Sequence, residues 1–88
     1  MDEQLNKLFS ALMSRENLDD LPVEEGMEFV AKLIDASGDL GREDGTAHAL
    51  RWCNALELRA LPPEQQAKLE YFRANAWHNR QLDGPANV

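Results

Sequence analysis

"LPPEQQAKLEYFRANAWHNR", residues 61–80, decides how the rest of the chain is read. Its two prolines break whatever precedes them, because proline cannot continue a helix and restricts the residue before it. From about Pro63 to Arg80 the stretch reads as one helix with apolar or aromatic groups on nearly every side. Leu69 and Phe72 point one way, Tyr71 and Ala74 another, and Trp77 lies between. A helix that is apolar on more than one face calls for neighbours on more than one side. Residues 81–88, "QLDGPANV", have the composition of a disordered tail, so the domain is expected to span residues 1–80.

Three more helices precede this one. In "EQLNKLFSALMSR", Leu5, Leu8, Phe9, Leu12 and Met13 recur at i, i+3, i+4, i+7 and i+8, the stripe of an amphipathic helix. "ENLDDLP" stops it, and Asp19 or Asp20 is placed to cap the next helix with Pro22 in its first turn. Glu24, Glu25 and Glu28 then suit the positive end of a second helix, whose stripe is Met27, Val30, Leu33 and Ile34 with Phe29 and Ala36 beside it. "SGDLGREDG" ends that helix with three glycines. Asp44 or Thr46 is placed to cap a third helix, with Ala49, Leu50, Trp52, Cys53 and Leu56 on its apolar side. No stretch alternates with period two, so the fold class is all-α: four short antiparallel helices joined by short connections.

The chain has 88 residues and a net charge of −7. That length fits one small domain, which buries only a little over ~60% of its unfolded surface. The acid is unevenly spread: residues 1–50 carry twelve acids and four bases, and residues 51–88 carry four acids and five bases. An acidic front half repels a phosphate backbone, so no nucleic-acid partner is expected. The near-neutral back half holds both tryptophans, and an apolar contact surface is expected there. No run approaches the ~18 apolar residues of a membrane span, and no signal pattern opens the chain. With a single cysteine, Cys53, the expectation is a cytoplasmic protein with no membrane partner.

An internal repeat adds to this. Sliding "FVAKLIDASGDL" (29–40) onto "AKLEYFRANAWH" (67–78) pairs Leu33 with Tyr71, Ile34 with Phe72, Ala36 with Ala74 and Gly38 with Ala76, at an offset of 38 residues. Large apolar residues lead to small ones where a neighbouring helix can approach. Residues 26–80 resemble the tetratricopeptide (TPR) family on these motifs. "AKLEYFRANAWH" is similar to the first helix of such a repeat, through Tyr71, Phe72, Ala74, Asn75, Ala76 and Trp77. "ALRWCNALEL" is similar to a second helix, through Ala55, Leu56 and Leu58, and "LPPE" sits where the family places proline. The offset departs from the family's ~34-residue period, and Arg73 stands where the family has a leucine.

The resemblance implies TPR-like helix-turn-helix stacking, an α-α superhelix fragment in which the last helix packs on the preceding pair and is covered by a following one. It also implies a non-catalytic protein–protein interaction module, either an N-terminal excerpt of a larger protein or an adaptor that self-associates through the last helix as a homo-oligomer. The partner is then a protein or peptide, and the partner-binding residues are Lys68, Tyr71, Asn75, Trp77 and Asn79. Of these, Lys68, Tyr71, Asn75 and Asn79 follow one another at i, i+3, i+7 and i+11. The alternative reading is a small acidic four-helix regulatory protein, an inhibitor of immunity or antitoxin type, that binds a basic target through residues 16–28.

Enzyme and metal readings find little to stand on. Cys53 lies mid-helix on an apolar stripe, and a nucleophile would need a nearby base and orienter. Two histidines and one cysteine without ligand spacing give no zinc site, and no glycine-rich phosphate loop or nucleophile elbow is present. Asp35, Ser37 and Asp39 have the spacing that opens a calcium loop, but the sixth position is Leu40 and the twelfth is Thr46. No cofactor, metal or catalytic residue is therefore expected.

Overall fold

Helix α1 runs Glu3–Met13, α2 Val23–Leu40, α3 Glu43–Glu57 and α4 Pro63–Asp83. The structure, a computed structural model, describes the backbone of residues 3–83 and the side chains of residues 3–78. Within them the domain is all-α, with four helices and antiparallel-type packing. Helix α4 carries on three residues past the expected end at Arg80. Residues 84–88, most of the expected tail, lie outside the described residues.

The amphipathic stripe of α1 is narrower than its spacing suggests. Phe9 and Leu12 are buried and Leu5 and Met13 are partly so, but Leu8 is exposed. The α1–α2 connection is held by Leu18, which enters the core, and by an Asx turn in which the Asp19 N–H donates to Asn17 Oδ1 at 3.0 Å.

The helix caps differ from those expected. Pro22 itself occupies the position before α2, with no side-chain cap, and Asp20 instead pairs with Arg15 at 2.7 Å. Neither Asp44 nor Thr46 caps α3. Arg42 precedes that helix, Asp44 accepts from the Arg42 guanidinium at 2.7 and 3.0 Å, and Thr46 is buried inside α3. The Arg42 guanidinium also lies 4.7 Å above the Phe9 ring, a cation–π contact that roofs the α1–α3 seam. The end of α2 follows the glycine rule at one site. Gly41 adopts φ 65° and the Arg42 N–H reaches back to the Ser37 carbonyl at 2.9 Å, while Gly38 stays inside the helix.

The core is one layer of apolar side chains shared by all four helices. Trp52, Leu56, Cys53 and Ala49 of α3 meet Val30, Leu33 and Ile34 of α2, with Leu69 and Ala76 of α4 on one side and Phe9 and Leu12 of α1 on the other. His48 is buried at the edge of this layer, its ring 4.8 Å from Trp52 and edge-on to it. His48 Nε2 meets the Arg15 carbonyl at 2.7 Å and Nδ1 meets Arg51 Nη2 at 3.0 Å. A carbonyl can only accept and a guanidinium can only donate, so both contacts fit the neutral ring with its proton on Nε2. Farther along, Arg59 donates to the Leu21 carbonyl at 2.8 Å and ties the α3–α4 connection to the α1–α2 connection.

The order of packing sets α2 and α3 at the centre of the domain. Helix α2 packs on α3 and α3 on α4; α1 packs on α2 and touches α3, and α4 also rests on α2. Among the described residues α1 and α4 do not meet. The helices pack within about 37 × 27 × 18 Å, with α1 and α4 on opposite sides of the central α2–α3 pair.

Candidate functional site

Helix α4 lies on the side of the α2–α3 pair away from α1, and its residues sort by where they point. Leu69 and Ala76 are buried and Phe72 is half-buried. Tyr71 is 64% exposed and Trp77 56% exposed, so both aromatic groups present much of their surface to solvent. The two-faced character of "LPPEQQAKLEYFRANAWHNR" is therefore not consumed by packing within the described residues.

Each flank of α4 borders a groove. Toward α2 lies a cleft of about 320 Å³, lined by Glu24, Met27, Glu28 and Ala31 on one wall and by Gln65, Lys68 and Phe72 on the other. Toward α3 lie two more. One of about 400 Å³ is lined by Leu50, Glu70, Arg73, Ala74 and Trp77. The other, of about 430 Å³, sits where α4 begins, beside Glu57, Leu61, Pro63, Gln66 and Glu70.

The five residues expected to bind a partner do not form one surface. Lys68 lies in the α2-side cleft, and half-buried Asn75 follows two turns later on the same flank of the helix. Tyr71 points outward between the flanks, its ring 6.1 Å from that of Phe72. Trp77 belongs to the α3-side groove, half a turn around the axis from Lys68, and so is set apart from the others. Asn79 continues the α4 backbone, but its side chain lies outside the described residues.

Sequence reasoning missed Arg73, which it met only as a misfit. Arg73 spans α3 and α4, donating to Glu57 at 2.6 and 3.1 Å, to Asn54 at 2.9 Å and to Glu70 at 3.1 Å. The guanidinium beside Glu57 holds that carboxyl below its ordinary range. The i, i+3 pairing of Glu70 with Arg73 was legible, but the cross-helix partner was not.

The acidic residues 16–28 divide as well. Asp20 is bound by Arg15, whose hydrogen bond lowers the Asp20 pKa. Glu24, Glu25 and Glu28 are exposed on the first turns of α2. Cys53 is fully buried, and desolvation pushes its thiol up to about 11, the reverse of what a nucleophile needs. Among the described residues no group of three His, Cys, Asp or Glu side chains could hold a metal ion, and no helix is long and apolar enough to cross a membrane. No protein-family model, curated protein or solved structure gives a significant match to this chain.

Proposed function

We propose that this chain is a non-catalytic protein-interaction module of TPR-like design, in which α2 and α4 form the walls of a peptide groove. One observation carries the proposal: α4 rests on α2 and α3 yet leaves Tyr71 and Trp77 largely exposed. Here α4 keeps a cleft on each side and two exposed aromatic residues between and beside them. Exposed aromatic side chains next to concave surfaces are where protein partners gain most of their contact energy.

In this scheme Lys68, Asn75 and Tyr71 serve the α2-side groove, and Trp77 serves a separate contact in which a second copy of the chain covers the α3 side of α4. A peptide library displayed on phage and panned against the chain tests the first part. Enriched peptides titrated into ¹⁵N-labelled protein are expected to shift α2 and α4 amides beside the cleft, and Tyr71→Ala with Asn75→Ala to weaken them without lowering the melting temperature. Shifts confined to other surfaces would contradict the groove. Light scattering across a concentration series tests the second part, with Trp77→Glu expected to abolish any dimer.

A second reading, an acidic regulatory protein acting on a basic target through residues 16–28, draws on the exposure of Glu24, Glu25 and Glu28. Ionic strength separates the two. Contact through acidic side chains alone weakens steeply as salt rises, whereas burial of apolar surface is far less sensitive.

A further inference from the structure

We infer that the α2–α4 groove takes an extended peptide segment with the pattern basic–apolar–basic. The inference rests on the groove being the proposed recognition surface, and adds the chemistry of its occupant.

The α2 wall carries Glu24 and Glu28, and Ala31 and Asp35 continue the same stripe at i+7 and i+11 from Glu24. Among the described residues neither glutamate side chain has an ion pair or hydrogen bond. The floor is apolar, with buried Met27 and half-buried Phe72. The α4 wall adds Gln65, whose side-chain amide carries both a donor and an acceptor. Against these acceptors stands one cation lining the cleft, Lys68. The groove therefore offers more acceptors than donors, and an occupant bearing donors and positive charge complements it.

Spacing then narrows the pattern. Glu24 and Glu28 are one turn apart, ~6 Å along the helix axis. In an extended peptide, alternate side chains fall on one face ~6.8 Å apart. Basic residues at alternate positions can thus meet both glutamates, while the residue between them turns away from the α2 wall, toward Phe72 on the α4 wall. Adjacent basic residues cannot, because their side chains point to opposite faces.

The test is a titration of the ¹⁵N-labelled chain with three end-capped hexapeptides. One contains Arg–Leu–Arg, one the permuted Leu–Arg–Arg, and one Glu–Leu–Glu. Arg–Leu–Arg is expected to give saturating shifts at the Met27, Glu28, Ala31 and Phe72 amides, with the permuted peptide roughly fivefold weaker. The double variant E24Q/E28Q should weaken Arg–Leu–Arg by roughly fivefold or more, and Lys68→Glu should tighten it. Asp39→Asn with Glu43→Gln removes the same charge at the far end of α2 and the start of α3, ~20 Å from the cleft by the length of α2, and should leave affinity within about twofold. Equal weakening in both double variants, or equal binding of the permuted peptide, would overturn the inference by showing generic attraction to an acidic chain. Saturating shifts of the same amides by Glu–Leu–Glu would overturn it while leaving the groove standing. Silence of these amides toward all three peptides would remove the inference and the groove together.

Discussion

Arg73 grips Glu57 with two hydrogen bonds, Nη2 to Oε2 at 2.6 Å and Nη1 to Oε1 at 3.1 Å, and so fastens α4 to α3. Among the described residues no other ion pair joins α4 to a neighbouring helix. The pair thus helps fix the angle at which Tyr71 and Trp77 are presented.

Acid should loosen this fastening. The Glu57 carboxyl is held below its ordinary range by Arg73, first through the hydrogen bond and then through charge. A depressed carboxyl stabilises the fold above its unfolded pKa and loses that contribution as pH falls through the lower folded value. Urea midpoints measured from pH 7 to pH 3 should therefore fall further for the wild type than for Arg73→Met. Parallel curves would show that the pair contributes nothing.

Cys53 should titrate in the opposite sense. Its folded thiol is raised from 9.0 to about 11, with desolvation the largest cause. The unfolded chain releases that proton first, so stability should decline between about pH 9 and 11, and Cys53→Ala should flatten the decline. In the folded protein at pH 8 a thiol reagent should react only as fast as the core opens.

Ser37 and Gly45 meet where α2 and α3 pack tightly together. A Cβ on Gly45 would overlap Ser37 Oγ and the Phe9 ring, which lies beneath Arg42. Gly45→Ala should therefore cost about 1–3 kcal/mol despite the better helix propensity of alanine. Ser37 Oγ is buried with no hydrogen-bond partner. Ser37→Ala should be neutral or stabilising by about 1 kcal/mol, since it removes a desolvated hydroxyl. Denaturant unfolding of the two single variants checks both signs.

His48→Phe separates packing from hydrogen bonding. Phenylalanine retains a ring against Trp52 but leaves the Arg15 carbonyl without its donor. A loss of about 1–3 kcal/mol is expected. Hydrogen exchange should increase most in residues 14–22, which His48 and Arg59 tie down.

The helices were legible because their stripes are wide and their breaks chemical. The start of α4 was fixed by Pro62 and Pro63, and the end of α2 by a glycine that adopts φ 65°. The caps were not legible. Asp20 and Asp44 each have an arginine within five residues, and each carboxylate is taken up by that guanidinium instead of a helix N-terminus. The site was half-legible. Helical spacing placed Lys68 and Asn75 on one flank, but which flank faces α2 depends on the packing of three helices. That packing separates Trp77 from Lys68. Arg73 looked out of place as a substitute for leucine until Glu57 and Asn54, sixteen and nineteen residues earlier, came beside it.

A partner contact through Trp77 requires that the outer side of α4 be left uncovered by its own chain. Fluorine NMR of protein labelled with 5-fluorotryptophan tests this without altering the sequence, since the chain has two tryptophans, one buried at Trp52 and one 56% exposed at Trp77. In dilute, monomeric protein one resonance should move between H₂O and D₂O and the other should not, and Trp77→Phe should remove the moving one. If neither resonance responds to the solvent while light scattering reports a monomer, α4 is wrapped within its own chain and offers no face to a partner.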